Sequence, residues 1–88
     1  MTRDDILDLF QDEDLLFIDG FDDAIIGIDT VSFRVVYSKE IMVEVLIAQG
    51  MSYDDAVEHF IFDIEKTEVG DKTPIYCQTM LWRRVLRQ

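Results

Sequence analysis

The chain holds one cysteine, one proline, one histidine and four glycines in 88 residues. Each scarcity excludes something. A single thiol, Cys77, can form no disulfide within one chain and supplies no cysteine-based zinc site. With one proline and no repeat or low-complexity tract there is no linker, so residues 1–88 read as a single domain. No apolar run approaches the ~18 residues that a membrane-crossing helix needs. The opening MTRDDILDLF is acidic and lacks the basic region and small-residue cleavage site of a secretory signal, so the expected compartment is the cytosol, without membrane attachment. A phosphate loop, a nucleophile elbow, zinc spacing and a dinucleotide fingerprint are all missing, and the expectation is a non-enzymatic protein without metal or cofactor.

What is present is apolar residue and negative charge. Hydrophobic residues make up 49% of the chain, too many for disorder. The net charge is −11, and it is uneven. Residues 1–29 carry ten acids and one base, residues 30–71 nine acids and three bases, and residues 72–88 four bases and no acid. Such a surface repels nucleic acid and anionic membranes and attracts basic surfaces. A domain of this length buries only about 60–65% of the surface its unfolded chain exposes, so its core is small and self-association is an economical way to extend it.

Patterning along the chain predicts an α+β domain. Residues 3–11 read as a helix, with Thr2 as cap, Asp4 and Asp5 in the first turn, and Ile6, Leu9 and Phe10 on one face. LLFID (15–19), AIIGID (24–29) and FRVVYS (33–38) read as strands, the last two able to pair as a hairpin. Ser38 caps a helix, KEIMVEVLIAQ, which stops at Gly50; Ser52 caps a second helix over 52–66. Ile41, Met42, Val45 and Leu46 form the inner stripe of the first. Val43 and Ile47 leave its far side apolar as well, so cover on more than one face is expected. Ala56, Val57, Phe60, Ile61 and Ile64 form the stripe of the second. Pro74 opens a last strand, followed by a basic tail at about 81–88. The expected architecture is a small, mostly antiparallel sheet of three or four strands, with the N-terminal helix and a central helical hairpin packed on one face.

GFDDAIIGI, followed by VVYSKEIMVEVLIAQGMSYDDAVEHFIFDIEKTEVGDKTPIY, resembles a family of short acidic proteins encoded in bacteriophage genomes and prophages. The resemblance spans roughly residues 15–77. Its most recognisable parts are Gly-Phe-Asp-Asp-Ala at 20–24, Gly-Met-Ser-Tyr-Asp-Asp-Ala-Val at 50–57 and Val-Gly-x-x-Thr-Pro at 69–74. The chain departs from the pattern at DTVSF (29–33), a shorter connection, and after Cys77, where QTMLWRRVLRQ reads as an extension. The resemblance implies a phage origin and carries over no catalytic residue.

Three groups of residues are candidates for a site. Asp19, Asp22 and Asp23 bracket Gly20; they solvate a turn, or one or two of them hold magnesium, or two share acid–base work. The calcium-loop spacing is absent. His59 lies off the apolar stripe, and Cys77 is the only other side chain it could join at a metal. The larger candidate is a carboxylate array for a basic host partner: Asp4, Asp5, Asp8, Asp12, Glu13 and Asp14 near the N-terminus, Asp22 and Asp23, then Asp54, Asp55, Glu58 and Asp63 on the late helix. Carboxylates so arrayed approximate the field of duplex DNA, as in an anti-CRISPR inhibitor or DNA mimic, and the chain itself is not expected to touch nucleic acid. The alternative is a homodimer or other oligomer built on spare apolar side chains, Tyr53, Phe62, Val43 and Ile47.

Overall fold

The computed structural model describes residues 3–11 and 13–78. Helix α1 spans Arg3–Leu9, with Asp4 and Asp5 in its first turn. Thr2, its expected cap, and Asp12 lie outside the described residues. Ile6 is fully buried, whereas Leu9, expected beside it, is 68% exposed. With only two turns, α1 has one residue that reaches the core, and Phe10, half-buried after the helix, packs edge-on against Phe33 at 6.0 Å.

LLFID (15–19), expected as a strand, stands outside the sheet. Its polar backbone is satisfied differently: the Ile18 N–H donates to the phenol oxygen of Tyr37 at 2.8 Å, a side-chain acceptor instead of a strand ladder. Leu15, Phe17 and Ile18 still pack against the core. The chain then turns at Gly20, whose φ of +89° favours glycine, and passes through a single 3₁₀ turn, Asp22–Ala24, that buries Phe21 and Ala24.

Strand β1 (Ile25–Ile28) pairs antiparallel with β2 (Val35–Ser38) as the expected hairpin, in the register Ile25 to Tyr37 and Ile28 to Val35, with an irregularity at Ile26. The connection is closed by Asp29. Its N–H donates to the Arg34 carbonyl, its carbonyl accepts from Phe33, and its carboxylate accepts from the Ser32 hydroxyl and N–H. Those Ser32 bonds hold the Asp29 carboxyl below the usual carboxylate range.

Strand β2 runs straight into α2 (Lys39–Ala48), because Ser38 ends the strand and caps the helix: its Oγ accepts from the Ile41 N–H at 3.2 Å. The stop is equally local. Met51 N–H donates to Leu46 and Gly50 N–H to Ile47, with Gly50 at φ +110°, the paired bonds of a Schellman motif. Ser52 then caps α3 (Tyr53–His59) through the Asp55 N–H. The late helix was read as one regular element. It instead widens into a π-helical turn over Phe60–Glu65, which keeps Phe60 buried and leaves Phe62 outside.

After the two helices, β3 (Ile75–Cys77) joins β2 in parallel, Val36 to Ile75 and Ser38 to Cys77. The sheet order is β1-β2-β3. The α+β class stands as expected. The sheet is mixed: β1 and β2 form an antiparallel hairpin, whereas β2 and β3 are parallel and are joined by the long crossover that a parallel pair requires. The core joins Ile6, Val35, Tyr37, Met42, Leu46, Ala56 and Phe60, with Phe60 edge-on to Tyr76 at 5.5 Å. Helix α2 meets α3, the 22–24 turn, β2 and the Phe60–Glu65 turn. It is covered on more than one face, as its two apolar sides require. Val43, a candidate for the oligomer interface, is therefore buried and presents little surface for a partner.

Candidate acidic interaction surface

The carboxylates divide by what faces them. Around Gly20, α1 supplies the cation. Arg3 Nη2 lies 3.1 Å from Asp22 and 3.4 Å from Asp19, and its guanidinium sits 4.9 Å over the Phe17 ring. Below it, burial raises the pKa of the Tyr37 phenol, an effect that the Ile18 N–H and the Arg3 charge oppose. Asp19 and Asp22 thus brace a turn against α1, with one guanidinium shared between them. Among the described residues no group of three His, Cys, Asp or Glu side chains is placed to hold a metal ion. Asp23, on the same turn, is exposed.

A second brace uses Lys72. Its ammonium lies 3.7 Å from Glu13, donates to the Ser32 carbonyl at 3.2 Å, and sits 5.8 Å from the Phe33 ring centre. Beside it the Arg34 Nε–H donates to the Thr73 carbonyl. These bonds fasten the 67–74 loop to the β1–β2 connection, so Glu13 belongs to the fold as much as to the surface.

The late helix is different. Asp54, Asp55 and Glu58 are exposed, and Asp63 lies 2.8 Å from His59 Nδ1 on the same helix. Asp55, Glu58, His59 and Asp63 ring a shallow depression of about 410 Å³ whose apolar lining is Met51 and Phe62. Phe62 is 61% exposed, and the Lys66 ammonium lies over its ring at 4.9 Å. The sequence suggested the carboxylates and Phe62 as parts of two separate surfaces. The structure puts them on one. Met51, which lies between the helices in sequence, joins them because the Gly50 turn folds α3 back beside α2.

The other apolar candidates gather elsewhere. Val43, Ile47 and Tyr53 line a groove of about 420 Å³ between α2 and α3, with Val57, Lys39, Glu40, Glu44 and Gln78. Ile47 and Tyr53 are exposed and Val43 is not. A third hollow, about 280 Å³ and mostly apolar, is walled by Leu16, Phe17 and Ile18 on one side and Ile64, Val69, Pro74 and Tyr76 on the other. A strand at 15–19 would not form this wall, so the sequence pattern does not point to it. The Tyr76 phenol there is pushed up to about 12, chiefly by burial, with Tyr37 and Glu65 adding to the shift.

Of the N-terminal acids, Asp4, Asp5, Asp8 and Asp14 are exposed on or just after α1, and Asp12 is outside the described residues. His59 and Cys77 lie on separate elements, α3 and β3, and no described metal cluster joins them. No described helix is long and apolar enough to cross a membrane. Comparison with models of protein families, with curated proteins and with solved structures found no match.

Proposed function

We propose that this is a bacteriophage-encoded, non-enzymatic protein of the bacterial cytosol that binds a host protein with a basic surface and inhibits or modulates it. A nucleic-acid-binding defence factor is the target class that an acidic surface suits best, in the manner of an anti-CRISPR protein or DNA mimic. The observation that carries this reading is the depression on α3, where Asp55, Glu58 and Asp63 surround the exposed ring of Phe62. Exposed charge alone steers and is screened within about 10 Å at 0.1 M salt. Charge around an aromatic anchor is the composition of a contact that also holds, since interface energy concentrates in buried aromatics inside a polar rim.

The cations support the same reading. Among the described residues Arg3 and Lys72 pair with carboxylates, Lys39 and Lys66 lie over aromatic rings, and Arg34 bonds a backbone carbonyl. The test is a tagged pull-down from nuclease-treated bacterial lysate, washed at low and then high salt. One stoichiometric host protein released by salt is the expected outcome. Recovery of no host protein would remove the reading. The exposed Ile47 and Tyr53 at the α2–α3 groove favour a second reading, a homo-oligomeric accessory protein of the phage, which light scattering would reveal as a stable dimer.

A further inference from the structure

We draw no further inference here: the strongest candidate, the mostly apolar hollow between residues 16–18 on one side and Ile64, Val69, Pro74 and Tyr76 on the other, carries nothing, because nothing in the structure shows what covers it.

Discussion

Two clusters of carboxylates in this small domain are built from the same residue types and do different things. Asp19 and Asp22 share Arg3, which reaches them from α1 across the Phe17 ring and sits above the buried phenol of Tyr37. Asp55, Glu58 and Asp63 have one histidine among them and an exposed phenylalanine in their midst. The first cluster meets a cation that α1 supplies, although both carboxylates remain open to solvent. The second is exposed, and among the described residues the ion pair it makes is the one between Asp63 and His59. In a chain of net charge −11, the count of acids does not separate the two clusters; what separates them is which acids the described cations reach.

The comparison can be broken from the structural side first. Phe60 anchors the π-helical turn to the sheet through Tyr76, and Phe60→Ala should cost about 3–5 kcal/mol, the usual range for deleting a buried aromatic side chain. In a domain this small that unfolds much of the population, read by urea denaturation. Tyr37→Phe comes next. It keeps the ring and removes the acceptor of the half-buried Ile18 N–H, at a cost of about 1 kcal/mol, the usual net worth of such a bond. Unchanged stability in that variant would mean that residues 15–18 are held by packing alone.

The buried phenols also set a pH limit. Tyr76 has a folded pKa of about 12 against an ordinary 10.0, so the fold favours the neutral form. Its contribution is fully present below pH 10.0 and is lost as pH rises toward about 12. The urea midpoint should fall across that window, and Tyr76→Phe should flatten the fall. Arg3→Ala is smaller again. Asp19 is fully exposed and Asp22 half-exposed, so the lost pairs are worth about 1 kcal/mol or less. Smallest of all is the combined Asp55→Asn, Glu58→Gln and Asp63→Asn variant, whose stability should stay within about 0.5 kcal/mol of the wild type, as exposed surface changes do. A loss of several kcal/mol there would place these acids in the fold and erase the contrast with Asp19 and Asp22.

Much of the fold is legible in the residues. Ser38 and Ser52 announce helix starts and Gly50 a stop, because caps are decided by a hydrogen bond within three or four positions. The β1–β2 hairpin follows from two apolar runs and a short polar connection. What could not be read depends on distant partners. LLFID has the composition of a strand, yet Ile18 finds its acceptor nineteen positions away in the Tyr37 phenol. Val43 and Ile47 share the far side of α2, yet Val43 is buried and Ile47 exposed, a difference that their spacing does not carry. The carboxylates were visible as types, but Arg3 beside Asp22 and Phe62 among Asp55, Glu58 and Asp63 are facts of tertiary arrangement. Lone apolar and acidic letters in α3 carry no signal that a π-helical turn will bring them to one depression.

The most direct test sets the two clusters against each other in a single capture experiment. Tagged wild type, the Asp55→Asn, Glu58→Gln, Asp63→Asn, Phe62→Ala variant, and an Asp19→Asn, Asp22→Asn variant are each passed over nuclease-treated bacterial lysate and eluted with salt. The account predicts one stoichiometric host protein on the wild type, the same protein on the Asp19 and Asp22 variant, and its loss from the α3 variant. Equal capture by all three, or capture lost only when Asp19 and Asp22 are changed, would contradict it.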